Sequence, residues 1–331
     1  DHAEIVEPGW APHLWCLEEG VGYPWVSYDN LLSESFGQAQ EPHPTSLQDP
    51  ICILYTAGTT GRSKGVLLSQ SNVLWNAVNS RFLHGLTSKD HVLTVIPLFH
   101  TGGLNIQTIP ALFTGATITL HRGFDSVSAL TAIDQEKPTL TVLVPSQMAI
   151  MLEDSRWDDT DLTSLRYVAT GSSVVPPRLI EAFHKRGVKV GQVYGATETG
   201  PVSICLRAAD AVSNIGAAGK PALYCDVKLV DPIGDEIEGQ CTGEILLKGP
   251  AISCGYWKES RRLDKDWFST GDMARRDING FYYVTGRIKD LIISGGENVS
   301  AAEVEQTLCE HSGVVEAAVI GLPHQRWIEV P

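Results

Sequence analysis

The sequence predicts an α/β protein: a large domain of mainly parallel α/β sheets, a small antiparallel β-subdomain, then the start of a small α+β C-terminal domain. Three observations carry this. From about residue 50 to residue 214, short β-branched runs alternate with helical patterns, as a largely parallel sheet requires. After about Asn214 the texture changes to brief apolar runs between Gly, Pro and Asp turns, which predicts an antiparallel subdomain over about 214–286. From Leu291 a strand, a Gly-Gly turn and a helical pattern follow one another.

In order along the chain, SESFGQAQEPHPTSLQDP (33–50) holds three prolines and little periodicity, and reads as a loop. ICILYT (51–56) is an unbroken apolar run of the kind found in buried strands, and SQSNVLWNAVNSRF (69–82) has the pattern of an amphipathic helix. HVLTVIPL (91–98), ATITLH (116–121), LTVLVP (140–145), RYVATG (166–171) and KVGQVYG (189–195) are strand candidates; PPRLIEAFHKRG (176–187) is helical. DVKLVD (226–231), EILLKG (244–249) and FYYVTG (281–286) supply the antiparallel strands. In LIISGGENVSAAEVEQTLCEH (291–311), Ser300 and Glu303 have capping-box spacing and fix a helix start; VVEAAVIGL (314–322) reads as a final strand. Domains are expected at 1–288 and 289–331.

Composition narrows the function classes. The chain has 331 residues, 43% hydrophobic and 19% charged, enough for a sizeable core, and no apolar stretch approaches the roughly 18 to 20 residues of a membrane span. With 25 basic and 39 acidic side chains the net charge is −14, which disfavours nucleic acid as a partner. Seven cysteines without C-x-x-C spacing fit neither a disulfide framework nor a zinc site, so a reducing cytoplasm is the expected location. The chain opens on Asp1 without a secretory pattern and stops at Pro331 inside a predicted domain, so it reads as a fragment.

The first chemical signal is LYTAGTTGRSKG (54–65). Glycines between a strand and a helix can aim several backbone N–H groups at one anion, with Thr59 and Thr60 adding hydroxyls and Lys64 an ammonium. The same glycines would also serve a plain tight turn. The NTPase loop G-x-x-x-x-G-K-[ST] does not fit, because Ser63 stands at its second glycine and Gly65 follows Lys64. Downstream, YGATETG (194–200) brings a ring, a hydroxyl and a carboxylate to the C-terminal end of a strand, where open α/β sheets bind ligands. STGD (269–272) sets a carboxylate on a turn, suited to a ribose diol, and GRIKD (286–290) adds cations. Each of these taken alone could be a capped turn.

Together, in this order and approximate spacing, the loop, YGATETG, STGD and GRIKDLIISGGEN resemble the core motifs of the adenylate-forming superfamily of acyl- and aryl-CoA synthetases, luciferases and peptide-synthetase adenylation domains. The resemblance runs from about Asp49 to Pro331; Ser63 departs from the proline usual in the loop. It implies ATP-dependent activation of a fatty or aryl acid to an acyl-adenylate, then transfer to CoA, with ATP, Mg²⁺ and CoA as the small molecules. Two alternatives stand beside it: loading of a carrier-protein thiol, and a truncated nucleotide-binding module.

By resemblance, Thr56, Gly58, Thr59, Thr60, Gly61 and Lys64 cover the ATP phosphates. Tyr194, Gly195 and Ala196, with Gly171, Ser172 and Ser173, hold adenine, and Thr197 contacts the α-phosphate or metal. Glu198 is the expected Mg²⁺ ligand, Asp272 grips the ribose, and Arg287 touches ribose and phosphate. Lys64, Thr197, Glu198 and Lys289 form the catalytic group, Lys289 as the hinge of the small domain. Gly295, Gly296, Glu297 and Asn298 match a loop that lines the pantetheine tunnel. PLFHTGGLN (97–105) resembles the segment that gates the acyl pocket, giving His100, Gly102 and Gly103 to the acid, with LNIQTIPALF (104–113) as an apolar wall. The lysine that the family uses in adenylation is expected beyond Pro331.

Overall fold

Alternation of side chains on a strand sends neighbours to opposite faces, so a strand buried along its whole length must be covered on both sides. Four successive residues of Tyr167–Thr170 are buried in this way. Val168 joins one hydrophobic cluster with Leu93, Leu143 and Phe183, whereas Tyr167 and Ala169 join a second with Val92, Leu140 and Val193. A sheet sandwiched between two apolar layers follows, as the sequence predicts.

A computed structural model describes residues 14–16, 25–35, 44–56, 63–173, 175–260, 262–264, 266–294, 297–309, 311, 313–314 and 317–331. The chain divides into units Asp1–Thr45 and Ser46–Pro331. In the first, parallel strands β1 (Leu14–Cys16) and β2 (Trp25–Ser27) precede helix α1 (Tyr28–Ser35). The second begins with β3 (Pro50–Thr56), β4 (Lys64–Ser69), α2 (Gln70–His84) and β5 (His91–Thr94). A π-helical segment, Gly103–Thr108, runs into α3 (Ile109–Thr114). Then come β6 (Thr117–Leu120), α4 (Ser126–Glu136), β7 (Leu140–Leu143), α5 (Pro145–Glu153), β8 (Tyr167–Thr170), α6 (Pro177–Lys185), β9 (Val190–Ala196), β10 (Gly200–Cys205) and β11 (Lys220–Pro221). The sheet order is β11-β10-β9-β8-β7-β5-β6, parallel from β9 to β6 and antiparallel at β10 and β11.

The change of texture after Asn214 is the second sheet. Strands β12 (Asp226–Val230), β13 (Glu236–Ile237) and β14 (Cys241–Lys248) precede β15 (Gly255–Tyr256), β16 (Phe268–Arg276) and β17 (Tyr282–Arg287). All pairing within the antiparallel order β13-β12-β14-β16-β17 is between neighbours, while β15 leaves it to pair with β4 in a separate sheet β15-β4-β3. A 3₁₀ turn, Ile288–Asp290, leads to β18 (Leu291–Ser294), β19 (Glu297–Ser300), α7 (Ala301–Cys309), β20 (Leu322–His324) and β21 (Ile328–Val330). The expected cap holds: the Glu303 amide donates to Ser300 Oγ at 3.3 Å at the start of α7. Among the described residues no helix is long and apolar enough to cross a membrane.

Four local expectations need correction. The loop ending in Lys64 does not lead straight into a helix: KGVLLS is strand β4, and α2 begins after Ser69, where SQSNVLWNAVNSRF predicts it; the Ser69 side chain accepts from the Asn72 amide while the Asn72 side chain accepts from the Ser69 amide. ICILYT is not buried throughout. β3 is an edge strand, with Leu54 in the core and Ile51, Ile53 and Tyr55 exposed, because one face alone is packed. ENVS forms a strand paired with LIIS before α7, where only a turn was expected. Within VVEAAVIGL, the described residues from Ala317 to Gly321 are irregular, and pairing begins only at Leu322.

The core carries one titratable group with a large consequence. His84, at the end of α2, is 2% exposed; its Nδ1 lies 2.9 Å from Ser80 O, its ring meets Tyr167 edge-on, and among the described residues its Nε2 has no hydrogen-bond partner. Since the Ser80 hydroxyl donates to Ile106 O, Nδ1 carries the proton and Nε2 is bare. Burial pushes its pKa down to about 4, opposed by the hydrogen bond to Ser80 O and, less, by Asp90, with the Arg166 charge adding to the fall. The unfolded chain therefore takes up a proton that the fold refuses. Stability from this group is complete above about pH 6.5 and falls as the pH drops toward 4, by up to about 3 kcal/mol. Urea unfolding at about pH 7.5 and about pH 4.5 should show a clearly shallower acid loss in His84→Gln than in the parent; equal losses would remove His84 as the cause.

Candidate active site

The site residues gather where the two large sheets meet. Tyr194 lies in β9, and beyond it the hairpin of β9 and β10 turns through Thr197-Glu198-Thr199, as the alternation of small residues permits. Glycine is required at 195, since a Cβ there would run into Gly200 O across that hairpin. At the C-terminal end of β8, Gly171 approaches Val193 so closely that a Cβ would sit 2.5 Å from the Val193 carbonyl oxygen. The next residue, Ser172, has φ of 75°, a left-handed conformation costly for a non-glycine residue and of the kind that clusters at functional sites. Ser173 is exposed beside it.

Asp272 stands in strand β16 rather than on a turn. It is opposite Arg287 of β17, just before a register shift at Met273 and Ala274. Strand pairing thereby presents the carboxylate and the guanidinium side by side: Arg287 Nε is 3.0 Å from Asp272 Oδ1. The other carboxylate oxygen, Oδ2, accepts from Tyr194 Oη at 2.7 Å. The Asp272 side chain is 15% exposed and that of Arg287 54%, so the anion is desolvated while its partner remains in water. Upstream, Glu244 of β14 accepts from Ser269 Oγ and from the Gly271 amide (3.1 Å), and Thr270 Oγ1 accepts from the Asp272 amide at 3.0 Å. These bonds hold the STGD backbone in place from beneath.

A second group lies around Glu198. Tyr256 Oη donates to Glu198 Oε1 at 2.9 Å, and the Ser253 amide donates to Glu198 O at 2.7 Å. Lys64 Nζ sits 4.7 Å from the centre of the Tyr256 ring and 3.2 Å from Glu259 Oε1. Lys64 is the first residue of β4, paired with Thr56, whose Oγ1 donates to Lys64 O at 3.4 Å. Gly58, Thr59, Thr60 and Gly61, between them, lie outside the described residues, as do Gly295 and Gly296. Glu297 and Asn298 pair through their backbones with Ser294 and Ile293. Lys289 is exposed in the 3₁₀ turn two residues after Arg287.

The acyl segment differs in character from the apolar wall expected. His100 is exposed and its Nδ1 accepts from the Gly102 amide at 3.0 Å; a side chain at Gly103 would strike the Pro97 carbonyl. Within 104–113 the buried positions include Asn105, Gln107 and Thr108 as well as Ile106 and Ala111, whereas Leu112 and Phe113 are exposed. The widened π-helical turn puts consecutive polar residues inside, where Gln107 Nε2 reaches Thr141 O of β7 at 3.2 Å.

Thus Tyr194, Asp272 and Arg287 come together, as do Lys64 and Glu198 through Tyr256. Tyr256, Glu259 and Glu244 were not singled out from the sequence. For Glu244 and Tyr256 the available signal was position, in CTGEILLKG and CGYWKE, each next to a glycine that permits close backbone approach; Glu259 gave none.

A family model described as AMP-binding enzyme matches residues 8–257. Indoleacetate–CoA ligase of Aromatoleum aromaticum is 47% identical over 310 residues, covering 92% of this chain and 61% of the relative. Feruloyl-CoA synthase of Amycolatopsis sp. is 40% identical over 291 residues, covering 87% and 59%. The solved structure of o-succinylbenzoate CoA synthetase from Bacillus subtilis in complex with its acyl-adenylate intermediate superposes with a TM-score of 0.84 at 33% identity, covering 93% of this chain and 63% of that one. The chain spans about three fifths of the length of the relatives it matches.

Burial, and then the adjacent Asp272 carboxylate, push the Tyr194 phenol well above the ordinary tyrosine range. Alkaline difference spectra should therefore show equal phenolate absorbance up to about pH 11 in the parent and in Tyr194→Phe. A loss of one phenolate in the variant below that pH would show that Tyr194 does not hold its proton against Asp272.

Proposed function

This chain belongs to the AMP-binding enzyme family, and from that premise we propose that it carries the nucleotide and acid site of an AMP-forming acid–CoA ligase. In the reaction, a carboxylic acid attacks the α-phosphorus of ATP to give an acyl-adenylate and pyrophosphate. The acyl group then passes to the thiol of CoA, leaving AMP. The observation that carries the reading is the meeting of Tyr194, Asp272 and Arg287 beside the Glu198 turn.

Each group has a part that its surroundings support. A carboxylate oxygen can accept more than one hydrogen bond, so Asp272 can take a ribose diol while keeping Tyr194 and Arg287. The Tyr194 ring, held by its own hydroxyl, offers a fixed face to adenine, with the backbone of Gly171, Ser172 and Ser173 opposite. Gly195, Ala196 and Thr197 line the same turn, Thr197 toward the α-phosphate. Lys64, with Thr56 and the 58–61 loop, serves the β- and γ-phosphates. Its pair with Glu259 has both side chains more than a third exposed, so exchanging Glu259 for phosphate costs at most about 1 kcal/mol.

Glu198 offers a single carboxylate, one of whose oxygens is taken by Tyr256, and this suits magnesium, which keeps most of its waters and takes one or two carboxylates plus substrate phosphates. When bound there it would act as a Lewis acid on phosphoryl oxygens. Charge neutralisation and in-line positioning are the main demands of the first step, because acid and phosphate are both anionic. Lys289 would let the 289–331 segment turn between the two steps, with the Gly295-Gly296-Glu297 motif assigned to the thiol.

The acid is best read as aromatic. Indoleacetate and ferulate, the acids named for the relatives, carry aromatic rings, which favours an aryl over a fatty acid; both relatives act with CoA, which favours CoA over a carrier-protein thiol. His100, Gly102 and Gly103 lie at the mouth of that site in this reading.

ATP–pyrophosphate exchange with a panel of aryl and fatty acids, run on this chain extended to the length of its relatives, tests the proposal. Exchange should depend on an aryl acid, and Glu198→Gln should lower it at least a hundredfold while urea unfolding is unchanged. Exchange that is absent with every acid, in a chain that still binds AMP, would reduce the reading to a nucleotide-binding module. Asp272→Asn should weaken AMP binding about tenfold or more, by loss of charge-assisted bonds to the ribose, measured calorimetrically. Unchanged AMP affinity would remove Asp272 from the site.

A further inference from the structure

We propose that Tyr256 is a positioning residue that sets the metal-facing carboxylate of Glu198 and the phosphate-facing ammonium of Lys64 in fixed relation to one another; the inference rests on the roles of Glu198 and Lys64 proposed above. Glu198, in the β9–β10 turn, and Lys64, at the start of β4, are far apart in sequence, yet one side chain touches both. Its hydroxyl donates to Glu198 Oε1 at 2.9 Å, and its ring carries Lys64 Nζ 4.7 Å above the centre.

The backbone makes this placement rigid. Tyr256 is paired with Val66 of β4, Gly255 with Leu67, and the Trp257 amide donates to Gly65 O at 2.7 Å, so the ring is registered against the strand that Lys64 begins. On the other side, Ser253 ties the same segment to Glu198 through its amide, while its hydroxyl donates to Leu67 O at 2.6 Å. Asn72 Nδ2 donates to Pro250 O and Ile252 O, which anchors the approach from helix α2. The Tyr256 ring packs against two hydrophobic clusters, one around Leu54 and Val66 and the other around Ile245 and Leu247.

Two consequences follow from the chemistry. A phenol bound to one carboxylate oxygen selects a single rotamer of Glu198 and leaves the second oxygen to a cation, so the ligand need not be ordered when the metal arrives. The aromatic face attracts the ammonium without neutralising it, so Lys64 stays near the site when its exchangeable partner, Glu259, gives way to phosphate. One residue thereby serves two groups by two separable interactions.

Separability makes the test. The full 331-residue chain is titrated with Mn²⁺, as a spectroscopic stand-in for Mg²⁺, in the presence of a non-hydrolysable ATP analogue, and free Mn²⁺ is read by electron paramagnetic resonance. Pyrophosphate binding without metal is measured by calorimetry. Tyr256→Phe keeps the ring and loses the hydroxyl: Mn²⁺ affinity should fall about five- to tenfold, with pyrophosphate affinity and thermal midpoint unchanged. Tyr256→Leu should weaken pyrophosphate binding as well, by about threefold or more. Glu198→Gln is the control, expected to abolish the nucleotide-dependent Mn²⁺ site. If Glu198→Gln abolishes it and Tyr256→Phe binds Mn²⁺ like the parent, the positioning role is overturned and the ligand assignment stands. If Glu198→Gln binds Mn²⁺ like the parent, or the parent shows no nucleotide-dependent site, the ligand assignment fails and this inference with it. Parallel losses of both affinities and of thermal midpoint in Tyr256→Phe would mean general packing and would equally overturn the proposal.

Discussion

The hydrogen bond from Tyr194 to Asp272 joins the two halves of the molecule's chemistry. Tyr194 belongs to β9 of the parallel sheet and Asp272 to β16 of the antiparallel one. The apolar cluster beneath them makes the same crossing: Ile204 and Tyr194 from the first sheet pack with Leu229, Ile245 and Ala274 from the second. Burial of that cluster fixes the distance between sheets, and the hydrogen bond then fixes a carboxylate against a ring. A desolvated carboxylate is costly unless its oxygens are satisfied, and here both have charge- or phenol-based partners. Ring and carboxylate therefore form a preorganised unit before any nucleotide is present.

The other half of the site is organised on different terms. Around Lys64 the ion pair is half exposed and the aromatic contact is non-directional, so the ammonium is guided more than held. This division suits a nucleotide whose nucleoside part stays through the proposed reaction while its pyrophosphate leaves. In the proposed reaction, the tight, buried hydrogen bonds would serve the part retained and the exchangeable, partly solvated contacts the part released.

Much of the fold was legible because the parallel strands announce themselves: LTVL and YVAT are β-branched or apolar along their length, and only a doubly covered sheet buries such runs. The antiparallel subdomain was legible from its turns. Less visible were features set by pairing partners. KGVLLS could be read as the first turn of the helix that follows it, since six residues carry too little periodicity to separate strand from helix; the hairpin with ICILYT decides it. ICILYT in turn looks fully buried until its place at a sheet edge is known. The polar interior of the 104–113 segment was hidden because a π-helical turn breaks the 3.6-residue period on which the expectation of an apolar wall rested. Of the site, the groups proposed to meet substrate could be recognised by chemical type, whereas Tyr256 and Glu244, which act on other side chains, have no chemical signature outside the fold.

The hairpin also changes the electrostatic account of the phosphate loop. A strand-to-helix loop would place a helix N-terminus behind the phosphates, with its partial positive charge and free amides. Here helix α2 begins at Gln70, six residues after Lys64, and its leading amides are already engaged: Gln70 donates to Asp49 O, Ser71 to Leu47 O and Asn72 to Ser69 Oγ. Among the described residues, the first amides of α2 are thus already satisfied. In a chain of net charge −14, attraction of a polyanion must come from local groups acting within a Debye length of about 8 Å. Lys64 is such a group, and its value depends on where it is held. On the proposed reading, the Tyr256 ring beneath it, and the pairing of β15 with β4 that puts the ring there, would be a condition for phosphate recognition rather than an accident of packing.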